Sequence, residues 1–346
     1  MEKRTLFIKA NRPMVGDPKL DPVVVAQNHA LNIDTTLVLD TNILISMEKV
    51  VQNGNKWASV KRQGLHNLVY LLRKCPPRSI FLSPGHAFSE MPPALAEQSR
   101  KAYEIFCAVH LEGFVDTPNC IQESFRGKSS DYGFDDIPED AQAVLSTPYA
   151  CLLYLNIVDR KFKGSAFEKF KAFLDYLEKD VDCLSATEIE IAKYCFWEPP
   201  ASSKELIALR KKIRRNFLKT EADKVPETSD EVKTVAYNGA RDIFLLHASN
   251  HLEANGLDGV EQEAWIATKD KKLSEFCSVF HHVSTGKVAA STSFPEQDES
   301  DFWAKACSEF ESRVSKRLGR EVVNLSLEQL REKANKAIST TDKNFA

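Results

Sequence analysis

The sequence lacks several features that would assign it to a protein class directly. Its 346 residues carry 46 basic and 49 acidic side chains, a net charge of −3, so no overall positive charge favours nucleic-acid binding by the whole molecule. The eight cysteines include no Cys-x-x-Cys pair or other zinc-knuckle spacing, and we expect reduced, mostly buried thiols. No internal repeat is evident. A zinc-finger or repeat architecture is therefore excluded.

Long apolar runs are also absent. Near the N-terminus, Lys9 interrupts the only apolar stretch, which is too short for a signal peptide. Residues 141–158 carry no charge, but Gln142, Pro148 and Asn156 keep their apolar part well below the ~20 residues of a membrane span. We therefore expect a buried helix there, a cytoplasmic protein and no membrane partner.

Short strand patterns followed by helical patterns predict an α/β fold. Residues 36–39, 79–82 and 265–268 are β-prone, helical apolar spacing follows the first of them, and 278–284 could form another strand. This alternation predicts a small parallel sheet flanked by helices.

The pattern changes character along the chain and predicts five segments. Prolines and polar residues near the N-terminus favour an irregular arm, and Ser326 to Gln329 fits a capping box before a C-terminal helix. The predicted segments are an N-terminal arm (1–30), a first α/β part (31–93), a mainly helical insertion (94–230), a second α/β part (231–294) and a charged helical tail (295–346).

Acidic residues follow two of the predicted strands. Asp40 directly follows the apolar residues 37–39, and Asp270 comes two residues after Thr268. In an open parallel sheet, functional groups collect at the carboxyl ends of the strands. A carboxylate beside a buried strand is unfavourable unless a cation meets it. A metal ion is the simplest such cation.

The order of these acids resembles the PIN-domain nucleases. That family has an apolar strand ending in Asp-Thr-Asn, then a helical Glu, a later helical Asp and a Thr-x-Asp after the next strand. Residues 34–92 and 236–285 of this sequence fit that pattern. Its positions are filled by Asp40-Thr41-Asn42, by Glu90, by Asp242 and by Thr268-Lys269-Asp270.

The resemblance implies a metal-dependent nuclease, most simply an endoribonuclease. Asp40, Glu90, Asp242 and Asp270 would hold Mg²⁺ or Mn²⁺, as one or two ions that activate water. Thr41, Asn42 and Thr268 would fix the positions of the carboxylates. Two alternatives remain open for the acids: each could merely cap a helix, where the dipole favours a carboxylate, or the chain could be a catalytically inactive binding scaffold.

The sequence departs from the compact PIN pattern in the spacing of its glutamate. Glu90 precedes Asp242 by 152 positions, whereas Glu188 and Glu190 stand at a more usual separation. We favour Glu90, because its strand and helix directly follow the first strand–helix unit.

A predicted helix in the insertion has the highest density of positive charge. Its apolar spacing leaves most of the basic residues on the outer face, either as a solvated surface or as a phosphate-binding patch that guides nucleic acid, RNA or DNA. These residues are Arg210, Lys211, Lys212, Arg214, Arg215 and Lys219. The insertion or the tail could also mediate self-association or bind a protein partner.

Two other enzyme functions compete with the ribonuclease. Single-stranded DNA is a possible substrate, because the metal acts on the phosphodiester and not on the sugar. A Mg²⁺-dependent aspartyl phosphohydrolase also has an Asp after its first strand, but it requires a second Asp two positions later. Asn42 stands there instead.

Overall fold

The computed structural model describes residues 4–10, 18–111, 132–222, 224–285, 288–292, 301–317 and 325–346. The strands are β1 (Leu6–Ile8), β2 (Ile33–Leu39), β3 (Ile80–Ser83), β4 (Glu261–Thr268), β5 (His281–Thr285) and β6 (Val288–Thr292). The helices are α1 (Pro22–Ala30), α2 (Thr41–Gln52), α3 (Trp57–Arg62), α4 (His66–Lys74), α5 (Gly85–Ser89), α6 (Pro93–His110), α7 (Glu139–Lys161), α8 (Ala166–Tyr176), α9 (Ala186–Phe196), α10 (Lys204–Phe217), α11 (Ser229–Asn255), α12 (Lys271–Cys277), α13 (Asp301–Arg317) and α14 (Leu327–Phe345).

The fold is mixed α/β, with an open four-stranded sheet flanked by helices. The chain divides into two compact units, and we describe each by itself. Unit 1 comprises residues 1–132, 245–277 and 281–289, and unit 2 comprises residues 133–244, 278–280 and 290–346.

The sheet of unit 1 has the strand order β1-β4-β2-β3. Strand β2 runs parallel to both β3 and β4, as predicted, whereas β1 pairs antiparallel with β4. The sheet is thus mixed, and its three parallel strands end at the same edge. Strand β2 is central, and Leu37 and Leu39 are fully buried in the core.

The prediction of an irregular N-terminal arm is wrong for part of residues 1–30. Strand β1 and helix α1 both lie there. Asp21 caps α1 by accepting hydrogen bonds from the amides of Val23 and Val24, and Pro22 occupies the first helical position. A proline in this segment therefore begins a helix and does not mark a loop.

Helices α2, α4 and α6 contribute to the core of unit 1. The apolar residues of α2 and α4 at spacings of three and four enter the core as expected, among them Leu44, Met47, Leu68 and Leu72. Helix α6 begins at Pro93, packs on α2 and belongs to unit 1. The segment predicted as an insertion therefore begins within the α/β unit.

Unit 2 is built around helix α7. Helices α8, α9 and α14 pack against it. In its most apolar stretch of 18 residues, 83% is buried. Within the described residues, α7 is the one helix long and apolar enough to cross a membrane. Its burial agrees with the predicted buried helix at 141–158.

The C-terminal helices also belong to unit 2. Ser326 and Gln329 form the predicted capping box at the start of α14. Ala334, Ala337 and Phe345 of that helix are buried. The charged tail thus contributes to a core. Strands β5 and β6 form a separate two-stranded sheet, in which β5 overlaps the further strand expected near 278–284.

The cysteines of the described residues are free thiols. Five of them, Cys75, Cys107, Cys151, Cys195 and Cys277, are buried, and two are partly exposed. The expectation of reduced, mostly buried thiols is confirmed for this part of the chain.

Candidate active site at the carboxyl edge of the sheet

Three of the predicted acids lie where the parallel strands of unit 1 end. Asp40 directly follows β2 and begins α2, Glu90 follows α5 just after β3, and Asp270 follows β4 and precedes α12. Because β2 lies between β3 and β4, the three acids come from three adjacent strands. The parallel register brings them to one edge.

Asp40 is the central acid, and three polar groups hold its carboxylate. The Thr268 hydroxyl donates a short hydrogen bond to it. The side-chain amide of Asn42 donates at 2.5 Å, and the backbone amide of Asn42 donates at 3.3 Å. Among the described residues, no lysine, arginine or histidine forms an ion pair with Asp40. Its charge is therefore bound only by neutral dipoles.

The environment of Asp40 opposes its ionisation. Burial raises the pKa of its carboxyl group from 3.8 to about 6. The hydrogen bond from Thr268 lowers this pKa, whereas the negative charge of Glu90 raises it and Asp270 adds a smaller upward contribution. The three carboxylates therefore interact electrostatically, and a cation at this edge would relieve their repulsion.

Thr268 connects the ends of β2 and β4. It is fully buried, and its hydroxyl oxygen accepts hydrogen bonds from the Asn42 side chain at 3.1 Å and from the backbone amide of Asp270 at 2.9 Å. The side-chain oxygen of Asn42, Oδ1, accepts a hydrogen bond from the backbone amide of Lys269 at 2.8 Å. Thr268 and Asn42 thus fix the two strand ends relative to each other.

Glu90 is held next to α2. The hydroxyl of Thr41 donates a short hydrogen bond to its carboxylate, and Nε2 of His86 lies 3.3 Å from its other oxygen. Thr41, one residue after Asp40, therefore joins Glu90 to the same helix start. The sequence pattern singles out Thr41 but not His86, whose position one helical turn before Glu90 is the available signal.

Asp270 has a structural role at the start of α12. One of its carboxylate oxygens accepts hydrogen bonds from the backbone amides of Lys272 at 2.7 Å and Leu273 at 3.3 Å. Asp40 likewise caps α2. The helix-capping alternative for these two acids is thus present in the structure. Capping leaves the second oxygen of Asp270 outside these bonds.

The fourth predicted acid, Asp242, belongs to unit 2. There the side-chain amide of Asn216 lies 3.4 Å from its carboxylate. The rival glutamates also belong to unit 2: Glu188 accepts a hydrogen bond from Ser185, and Glu190 forms a buried ion pair with Lys193 at 2.6 Å. Glu90 is the glutamate that unit 1 places beside Asp40. A site role for Asp242 stays a prediction.

Preassembled metal cages are absent from the described residues: no three His, Cys, Asp or Glu side chains there are grouped closely enough to hold a metal ion. The donor chemistry nevertheless fits a hard divalent cation. Mg²⁺ is commonly held by one or two carboxylates with water and substrate phosphate as its other ligands. A carboxylate without a cationic partner, next to two more, meets that requirement.

The predicted phosphate-binding helix needs a correction. Arg214 of α10 is buried, where it forms a bidentate ion pair with Asp159 at 2.8 and 3.0 Å and donates to the carbonyl of Cys195 at 2.7 Å. Arg210 donates to the same carbonyl at 3.3 Å. Arg214 therefore stabilises unit 2 and is not available to phosphate.

The other basic residues of this patch differ in exposure. Lys211, Lys212 and Arg215 are exposed on α10, and Lys219 is partly exposed just beyond it. The prediction of nucleic-acid contact stays open for these four residues and for the partly exposed Arg210, and no longer includes Arg214.

Lys269 lies within the Thr268-Lys269-Asp270 motif, but the predicted site gives it no role. Its ammonium donates to the hydroxyl of Ser46 at 2.8 Å and to the carbonyl of Gln63 at 2.9 Å. It thereby ties the segment between Thr268 and Asp270 to helix α2 and to the end of α3.

Comparisons with models of known protein families, with curated proteins and with solved structures find no match to this chain. The functional assignment therefore depends on the residues and their geometry.

Proposed function

We propose that this chain is a metal-dependent nuclease of the PIN-domain type that hydrolyses phosphodiester bonds, with RNA as its substrate. The observation that carries the proposal is the arrangement of Asp40, Glu90 and Asp270 at the ends of three adjacent parallel strands, joined through Thr41, Asn42 and Thr268. The small α/β sheet with helices on it is compatible with a PIN-like fold.

The acidic edge favours a hard cation as cofactor. Asp40, with Glu90 or Asp270 as its partner, would hold Mg²⁺ or Mn²⁺ through carboxylate oxygens. When bound, such an ion supplies a nucleophilic water near neutral pH and stabilises negative charge on the phosphate. Asp242 is proposed as an additional ligand from the sequence pattern alone.

The polar neighbours have positioning roles in this proposal. Thr268 and Asn42 orient the Asp40 carboxylate and support its ionised form by donating hydrogen bonds to it. Thr41 does the same for Glu90. His86 contacts Glu90 from the preceding helical turn, with its Nε2 3.3 Å from the carboxylate, and would help to fix the position of that carboxylate.

The phosphohydrolase alternative is disfavoured by the role of Asn42. That mechanism needs a general acid two residues after the first Asp. Asn42 has no proton to transfer, and its amide donates to the carboxylate of Asp40. The position is thus occupied by a group that fixes Asp40 and does not protonate a leaving group.

The decisive experiment is a cleavage assay with Mn²⁺ or Mg²⁺ on RNA and single-stranded DNA of the same sequence. Asp40→Asn should lower the rate by roughly 10³-fold or more, which corresponds to ~4 kcal/mol of transition-state stabilisation. Asn retains a side-chain oxygen that can cap α2. The variant should therefore remain folded.

Asp34→Asn is the matched control, because Asp34 lies near the other end of β2, the strand that Asp40 directly follows. It should cleave like the wild type. Full activity of Asp40→Asn would disprove the site, and metal-dependent cleavage of DNA in preference to RNA would overturn the choice of substrate. A wild-type chain that neither binds Mn²⁺ nor cleaves would instead be a binding scaffold.

A further inference from the structure

A basic groove on the surface of unit 1 lies over helices α3 and α4 and has a volume of about 400 Å³. Trp57, Lys61, Tyr70, Arg73 and Lys74 are among the residues that line it. Trp57 is 42% exposed and Tyr70 61% exposed, although large aromatic side chains are usually well buried. The groove thus presents two aromatic rings to solvent.

The chain segment that forms this groove contains basic residues and no acidic ones. No Asp or Glu occurs between Glu48 and Glu90. All of the lysines and arginines between them are exposed, in contrast to the net charge of −3 of the whole chain. These residues are Lys49, Lys56, Lys61, Arg62, Arg73, Lys74 and Arg78.

Cations and rings are paired within the groove. The guanidinium of Arg73 lies 5.9 Å from the centre of the Trp57 ring, and the ammonium of Lys74 lies 5.8 Å from the centre of the Tyr70 ring. Arg73 is held in place because its Nε donates to the His110 carbonyl at 2.8 Å. Each exposed ring therefore has a positive charge beside it.

The groove and the acidic edge are connected within unit 1. Helix α3 begins at Trp57, and Gln63, the residue that ends it, accepts a hydrogen bond from Lys269. Lys269 stands directly before Asp270. At 1.5 Å of rise per residue, the six residues of α3 span roughly 9 Å. A bound polymer could thus extend from one feature to the other.

We propose that this groove binds a single strand of RNA and directs it to the acidic edge of the sheet. The choice of RNA rests on the proposed nuclease function. Bases stack on Trp57 and Tyr70, while Lys61, Arg73 and Lys74 bind the phosphates. Stacking on exposed rings requires bases that are free of a duplex, and nearby cations neutralise the backbone. An acidic peptide would satisfy the charges but would leave the rings without a stacking partner.

The test measures binding without catalysis. The full-length protein is titrated in EDTA against a fluorescently labelled single-stranded RNA of 12 nucleotides, and anisotropy gives the dissociation constant. Trp57→Ala and Tyr70→Ala should each weaken binding about tenfold, the range expected when one base–aromatic stack is removed. Trp57→Phe and Tyr70→Phe keep a ring and should bind close to the wild-type level.

The charge contribution has its own readout. Lys61→Glu and Lys74→Glu should weaken binding and make it less dependent on salt, by ~0.7 in the logarithmic slope for each phosphate that the protein no longer neutralises. Lys163→Glu, at an exposed lysine between α7 and α8, and Phe81→Ala are matched controls. Phe81 is as exposed as Trp57, at 40%, but lies outside the groove lining. Both controls should retain wild-type affinity.

The outcomes separate this inference from the nuclease proposal. Wild-type affinity in the alanine variants, weakening by the Lys163→Glu control alone, or equal losses in the alanine and phenylalanine variants would overturn the groove. DNA of the same sequence bound as tightly as RNA would overturn the choice of RNA. Because EDTA prevents metal-dependent cleavage, the binding assay is independent of catalysis. If Asp40→Asn loses cleavage activity and keeps its affinity for RNA, both proposals are supported. If Asp40→Asn keeps its cleavage activity, only the nuclease proposal is contradicted.

Discussion

Two partly buried aspartates of this protein have opposite surroundings. Asp159 in unit 2 meets Arg214 in a bidentate ion pair, and the two side chains are 7% and 11% exposed. Asp40 in unit 1 meets hydroxyl and amide donors and two further carboxylates. Among the described residues it has no ion-pair partner. One carboxylate is neutralised within the fold, and the other is not.

The difference indicates which carboxylate the described residues leave without an opposite charge. A fold that buries a carboxylate for stability supplies the opposite charge, because an unpaired buried charge is costly. At Asp159, burial acts to lower the pKa of Arg214, and the hydrogen bonds and charge of the aspartate raise it above its usual value. Among the described residues no such ion pair forms at Asp40, and its pKa rises to about 6. We infer that Asp40 is kept for a ligand.

The largest effect is expected when the compensated pair is broken. Arg214→Met should destabilise the protein by about 3–5 kcal/mol, because Asp159 would remain as a buried charge without a partner. Urea denaturation measures the loss. The double variant Arg214→Met and Asp159→Leu should recover most of it. If Arg214→Met is as stable as the wild type, the ion pair does not compensate the burial of Asp159.

A smaller effect is expected from the pH dependence of Asp40. Its pKa is about 6 in the folded state and about 3.8 when unfolded, so the folded state binds more protons between these values. The stability that protonated Asp40 contributes is present below pH 4 and is lost as the pH rises to 6, by up to about 3 kcal/mol. Asparagine does not ionise, so Asp40→Asn should not lose this stability as the pH rises.

Denaturation curves at several pH values between 4 and 7 test this expectation as the difference between the wild type and Asp40→Asn. That difference should grow in favour of the variant as the pH rises, whereas Asp34→Asn should follow the wild type. Mn²⁺ at pH 7 should reduce the difference, because a cation stabilises the ionised carboxylate. A difference independent of pH would contradict the uncompensated burial of Asp40.

The smallest effect is expected from removal of the Thr268 hydroxyl, which supports the ionised form of the Asp40 carboxylate. Thr268→Val removes the hydroxyl that donates to this carboxylate, and Mn²⁺ affinity should fall about 10–100-fold. Isothermal titration measures it. Thr36→Val is the control, because the Thr36 hydroxyl is also buried and bonds Gln262 at 2.8 Å within the same sheet. Equal affinities of the two variants would remove Thr268 from the site.

The acidic edge is the part of the molecule that sequence reasoning addresses best. A motif such as Asp40-Thr41-Asn42 after a buried strand is local, and parallel strands bring their carboxyl ends together. Strand order alone favours Glu90 over Glu188 and Glu190, and Glu90 is the glutamate that lies beside Asp40 and Thr41. Strand β1 and helix α1 escape prediction, because three residues of strand show little periodicity and Pro22 resembles a loop signal.

Helix α10 shows that the pattern of one helix does not predict which of its charged residues are buried. Helical spacing places Arg214 with its basic neighbours on an outer face, but Asp159, 55 positions earlier, draws it into the core of unit 2. No local signal marks that pair, because its partners meet only when α7 and α10 are packed in the same unit.

Apolar periodicity predicts the parallel strands and the main helices around them, and local motifs predict the acids that follow β2, β3 and β4. These features follow from apolar periodicity and from neighbours a few residues apart. The tertiary structure alone decided which charges are compensated, that Thr268 joins Asp40 to Asp270, and that Trp57 and Tyr70 share a basic groove. Charge compensation and exposure depend on residues distant in the sequence, and only folding brings those residues together.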